Sequence, residues 1–154
     1  MKARTVVMTV LVCLVAGTLS FAGDATMGTW KLNEAKSKLA AGTPKNNTVV
    51  YEATGDKVKI TVDGVDSEGK PTHNEWTGMF DGKDHPVSGD PNADTRSYKK
   101  IDDRTLEFTN KKAGKVTVTG RVVVSADGKS RTTTLNGTDA KGEKYKNTAV
   151  YDKE

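Results

Sequence analysis

From residue 46 onward, apolar and polar side chains alternate with period two. Val58, Ile60 and Val62 stand between Lys57, Lys59 and Thr61, and Leu106 and Phe108 between Thr105, Glu107 and Thr109. Val116, Val118, Val122 and Val124 oppose Lys115, Thr117, Thr119 and Arg121, while Tyr145, Ala149 and Tyr151 share one parity. Successive side chains of a strand point to opposite faces, so this pattern predicts half-buried strands. The 18 threonines after residue 22 agree, because β-branched side chains suit a pleated surface.

Glycine-centred breaks separate these runs at Gly55-Asp56, Glu68-Gly69, Asp81-Gly82, Ala113-Gly114, Asp127-Gly128 and Lys141-Gly142. Such pairs supply the positive φ of tight hairpin turns. The last three breaks are evenly spaced, as expected when strands of about ten residues follow one another through short turns. Strands are predicted over 28-33, 46-54, 57-65, 71-80, 84-88, 95-101, 105-112, 115-126, 129-138 and 143-152. In the longer gap 34-45, Asn33 is placed to cap a short helix from Glu34 to Ala41, with Gly42 ending it and Pro44 preventing its return. The fold class is therefore all-β: an antiparallel up-and-down meander of eight to ten strands with at most one short helix after the first. Closure into a barrel is the simplest way to remove exposed edges, with an open curved sheet or a sandwich as the alternative.

Residues 1-22 read differently. Lys2 and Arg4 precede an uncharged, mostly apolar run from Thr5 to Phe21, ending Ser20-Phe21-Ala22. That order describes a secretory signal peptide, leaving 23-154 as one β-barrel domain in the periplasm or outside the cell. The single cysteine, Cys13, lies in the signal, so the mature chain relies on core packing and backbone pairing without disulfides. Only 38 apolar residues remain after residue 22, fewer than the roughly 40–50 lipid-facing ones that ten membrane-spanning strands require. The net charge falls from +4 to +2, too little for a nucleic-acid binder; Arg96-Ser97-Tyr98-Lys99-Lys100 is the one segment of suitable composition.

Gly28-Thr29-Trp30-Lys31-Leu32 near the start and Val150-Tyr151-Asp152-Lys153 at the end resemble the calycin barrels, meaning lipocalins and intracellular fatty-acid-binding proteins. The whole mature chain also resembles uncharacterised secreted bacterial proteins. The resemblance implies a barrel in which Gly28 and Trp30 form the structural motif, Trp30 plugging the closed end, and a small hydrophobic or amphipathic ligand. Two departures stand out. Ala149 occupies the place where the fatty-acid binders carry the arginine that grips the ligand carboxylate, and 34-45 is too short for their helix-turn-helix lid.

Catalytic material is sparse. There is no cysteine after residue 22 and no Gly-x-Ser-x-Gly, and His73 and His85 are not at metal-ligand spacing. His73 lies on the parity opposite Trp76 and Phe80, which predicts a solvent-facing ring. Asp90-x-Asn92-x-Asp94 begins like a calcium loop, but Thr95 and Ile101 stand where glycine and a bidentate glutamate belong. Asp81, Asp84, Asp90 and Asp94 read as a solvated loop. Glu52, Glu75 and Glu107 would serve an envelope-polymer hydrolase only if they converged in a cleft. No cofactor or metal is expected. Trp76, Phe80, Tyr98, Phe108, Tyr145 and Tyr151 are the candidate ligand-binding side chains, since a ten-strand barrel is wide enough to hold a cavity. The leading expectation is a lipocalin-like binding protein without catalysis; the alternative is a structural or protein-interaction module of the cell envelope.

Overall fold

The computed structural model describes residues 23–139 and 141–154; the predicted signal segment 1-22, with Cys13, lies outside the described residues. Ten strands follow in chain order: β1 (Gly28–Leu32), β2 (Lys45–Thr54), β3 (Lys57–Val65), β4 (Pro71–Gly78), β5 (His85–Ser88), β6 (Thr95–Asp102), β7 (Thr105–Lys112), β8 (Lys115–Val124), β9 (Ser130–Thr138) and β10 (Lys144–Lys153). Each pairs antiparallel with the next, and β10 returns to β1, so the sheet closes into a barrel. In the closed form, rather than an open sheet or sandwich, every described strand has a neighbour on both sides.

The alternation sets which residues face inward. Tyr51, Ile60, Trp76 and Val87 form one continuous rung across β2 to β5, and all four are buried. Tyr151, Arg131 and Val124 form another across β10, β9 and β8. Two in-strand glycines receive the ring of their own cross-strand partner. A Cβ at Gly120 would collide with Phe108, and one at Gly137 would lie 2.6 Å from the Tyr145 ring. Each aromatic thus fills the space its glycine vacates.

The segment after β1 departs from the predicted helix. Only Glu34–Lys36 coil, as a single 3-10 turn whose N-cap Asn33 accepts a hydrogen bond from the Lys36 amide. From Ser37 the chain is extended, and Lys38 exchanges two backbone hydrogen bonds of 2.7 and 2.8 Å with Thr148. β1 has five residues and β10 has ten, so the upper half of β10 would otherwise present unpaired backbone groups. Covering that edge outweighs a two-turn helix, which is marginal in isolation.

Both ends of the barrel are covered. At the end where β1 begins, Asp24 to Met27 cross beneath the core. Thr26 is fully buried there, and its carbonyl accepts a 3.0 Å hydrogen bond from Trp30 Nε1–H. At the other end, Asn147 accepts from the Ala40 amide and donates to Thr43, which holds 40-43 in place. The loop between β5 and β6 folds over the same end and buries Ala93.

Candidate functional site

The barrel interior holds two features, an aromatic wall and a pair of arginines. The wall is built from strand positions of inward parity on β4, β6 and β7, with Phe80 just past the end of β4. Trp76 and Tyr98 have ring centroids 4.8 Å apart, Tyr98 and Phe108 5.7 Å, and Phe80 and Tyr98 5.8 Å. Phe80 stacks on Trp76 at 6.4 Å, and Tyr51 joins from β2 at 6.3 Å from Tyr98. Trp76 and Tyr98 are buried, whereas Phe80 and Phe108 are half-buried. Burial pushes the Tyr98 hydroxyl well above its ordinary range, because a phenolate would lose its hydration.

Of the six aromatic residues predicted to line a site, Trp76, Phe80, Tyr98 and Phe108 thus come together. Tyr151 lies elsewhere in the interior, against Arg131, and burial pushes its hydroxyl up to about 12. Tyr145 is half-buried over Gly137; burial, then the charges of Asp90 and Asp139, raise its pKa. Gly28 and Trp30 sit at the end that Asp24 to Met27 cover. Trp30 is fully buried, and Lys153 lies 5.1 Å from its ring centroid.

The arginines occupy opposite ends of the interior and differ in their partners. Arg96, on β6, is 5% exposed and fully engaged. It donates to Asn110 Oδ1 at 2.7 Å, Asn74 Oδ1 at 3.2 Å and the Asp90 carboxylate at 3.0 Å. Its own carbonyl accepts from Trp76 Nε1–H at 2.7 Å, which ties the aromatic wall to this network. Arg131, on β9, is 3% exposed. Its guanidinium carbon lies 4.9 Å from the Trp30 ring centroid, 4.8 Å from that of Tyr51 and 4.9 Å from that of Tyr151. Among the described residues its Nε and Nη1 have no hydrogen-bond acceptor, and Thr133 Oγ1, two residues on, also has no partner.

The sequence pattern marked neither Arg131 nor Tyr51, and marked Arg96 only as part of the basic segment 96-100. The first lies in Arg131-Thr132-Thr133-Thr134, where no apolar alternation marks the inward face. The available signal was the turn. A symmetrical hairpin about Asp127-Gly128 sets Val124 opposite Arg131, so an inward Val124 implies an inward Arg131.

Glu52, Glu75, Glu107 and His73 face outward, whereas His85 and Asp90 are half-buried. Glu52 is exposed, Glu75 binds Lys59 at 2.9 Å, and Glu107 pairs with Arg121. His73 is exposed as its parity predicts, with Nδ1 2.6 Å from Asp63. His85 lies 3.4 Å from Asp81 and edge-on to Trp76. The calcium-like loop is consumed internally: Asp90 serves Arg96, and Asp94 accepts from the Ala113 amide. Over β7 to β9, a trough of about 510 Å³ is lined by Glu107, Arg121, Val123 and Thr132 and also touches Phe108 and Gly120.

No protein-family model and no curated protein matches the chain. Among solved structures it is similar to designed β-barrels. EF1p2_mFAP2b bound to DFHBI has 11% identity and a TM-score of 0.47, covering 84% of this chain and 94% of that one. A redesigned β-barrel, mFAP1, bound to DFHBI, has 17% identity and a TM-score of 0.45, covering 87% and 100%. A third redesigned barrel, b11L5F_LGL, has 13% identity and a TM-score of 0.44, covering 89% and 98%.

Proposed function

We propose that this chain is an exported β-barrel that binds a small, apolar or amphipathic molecule inside the barrel and performs no chemistry on it. The observation that carries this reading is the aromatic wall. Phe80 and Phe108 extend the buried Trp76–Tyr98 pair towards half-buried positions, so flat apolar surface continues from the core to where a ligand can meet it. Aromatic faces of this kind hold planar or apolar ligands through area burial and ring geometry. A hydrolase reading gains no support from Glu52, Glu75 and Glu107, which face outward with Lys59 and Arg121 beside two of them.

The reading predicts that Trp76 fluorescence responds saturably to members of a panel of hydrophobic dyes and lipids. Phe108→Ala and Phe80→Ala should weaken that response several-fold while the far-ultraviolet spectrum is unchanged. A flat titration with every panel member would sink the proposal.

The trough favours a second reading, an interaction module that meets a polar partner on β7 to β9. Glu107→Ala with Arg121→Ala should then abolish partner recovery from an envelope fraction and leave dye binding intact.

A further inference from the structure

We infer that the interior carries an anion-binding subsite at Arg131 and Thr133, on the side of the barrel that Asp24 to Met27 cover. Guanidinium stays protonated at any physiological pH, so Arg131 is a permanent positive charge in a low-dielectric interior. Such charges are stable when paired and hydrogen-bonded. Arg96 shows how this fold meets that requirement, with one carboxylate and two amide oxygens. Arg131 meets three ring faces, and among the described residues two of its nitrogens lack an acceptor.

The surroundings accentuate the charge. Lys153 stacks near the same Trp30 ring, and among the described residues neither Lys153 nor Arg131 takes part in a salt bridge. The neighbouring carboxylates are committed elsewhere: Asp152 to Asn33 and Lys36, and Asp24 to Thr26 and Lys100. Thr133 adds an inward hydroxyl without a partner, opposite Ala149, whose methyl group leaves that rung small. Three buried polar atoms on successive inward positions of β9 are therefore left, among the described residues, without hydrogen-bond partners. This differs from the place the calycin resemblance implies, because position 149 carries no arginine and the cation stands on the adjacent strand.

The shared chemistry is a small anionic group, either a free monovalent anion or the acidic end of the amphipathic ligand proposed above. Only the second source rests on that proposal. The two are separated with a matched dye pair, 8-anilinonaphthalene-1-sulfonate and N-phenyl-1-naphthylamine, which share a ring system and differ in the sulfonate. The full mature chain should bind the sulfonate at least tenfold more tightly. Arg131→Met should erase that preference and leave the neutral dye unaffected, and Thr133→Val should reduce it several-fold without changing the charge.

Equal affinities in the parent protein, or a preference that survives in folded Arg131→Met, would overturn the subsite. If Arg131→Met does not fold, Thr133→Val decides: an unchanged preference overturns it. If neither dye binds, thermal unfolding is compared in sodium nitrate and sodium fluoride at equal ionic strength. A nitrate-specific rise in the midpoint, lost in Thr133→Val, supports a free-anion site while the ligand proposal falls; no such rise overturns the subsite as well.

Discussion

Two arginines of similar burial differ in what removing them exposes. Deleting the Arg96 guanidinium strands the half-buried Asp90 carboxylate and the buried amide oxygens of Asn74 and Asn110. Breaking a buried pair from one side costs about 3–5 kcal/mol, because the surviving charge stays uncompensated. Deleting the Arg131 guanidinium removes a charge that no carboxylate balances, against the loss of three ring contacts, each of which stabilises by roughly 0.5–2 kcal/mol. In low-salt buffer, Arg96→Met should therefore lower the urea midpoint much more than Arg131→Met. An equal or reversed order would refute this account of the interior charges. A smaller effect is expected at Trp76, where Trp76→Phe keeps an aromatic ring but leaves the buried Arg96 carbonyl without its donor, costing about 1–3 kcal/mol in the same assay.

At the scale of elements, the turns and the glycines inside strands set the local tolerances. The β7–β8 hairpin turns through Ala113 at φ 48° and Gly114 at φ 77°. Two successive positive angles describe a turn that favours Asn-Gly, and alanine in that conformation is strained by roughly 1–2 kcal/mol. Ala113→Asn should raise the unfolding free energy by about 1 kcal/mol and keep the amide that donates to Asp94. Gly120→Ala should act oppositely, because its Cβ collides with Phe108 on one side and lies 3.0 Å from the Thr134 carbonyl oxygen on the other. Overpacking of that kind costs about 1–3 kcal/mol, and pairing the change with Phe108→Leu should recover part of it.

These elements also show what was legible beforehand. Strand order and the hairpins followed from period two and from the glycine breaks, because both signals are local. The helix over 34-41 failed because its competitor was remote in sequence: the uncovered half of β10, which Lys38 pairs with through Thr148. The aromatic wall was legible where parity supported it: Trp76 shares its parity with Phe80, and Phe108 with Leu106. Arg131 was not, since a charged residue among threonines reads as a solvated strand face until a register assigns it inward.

For the molecule as a whole, the charged groups predict a stability profile with opposite slopes on either side of mildly acidic pH. Lys59, then His73, hold the Glu75 carboxyl below its ordinary 4.5. The Lys83 amide lowers Asp81, the Arg104 amide lowers Asp102, and the Ser125 hydroxyl lowers Asp127, each below 3.8. Burial alone would raise Asp24, but hydrogen bonds from Thr26 and Lys100 outweigh it and lower that group too. Depressed carboxyl values contribute stability that is present above the unfolded values and lost as pH falls through the folded ones. The barrel should therefore weaken below about pH 4 as these groups protonate in turn. His73 works the other way. Its hydrogen bond to Asp63, reinforced by Glu75, raises it above 6.5, so its contribution is full below 6.5 and disappears as pH rises through the folded value. Above pH 10 a further loss sets in, because buried Tyr151 ionises only at about 12 while the unfolded chain ionises first. Thermal midpoints measured from pH 3 to 11 should peak between about 4.5 and 6.5. His73→Gln should flatten the decline just above neutrality and leave both the acid and the alkaline limbs in place. If the variant kept the full neutral decline, the slope would have to be assigned to a group other than His73.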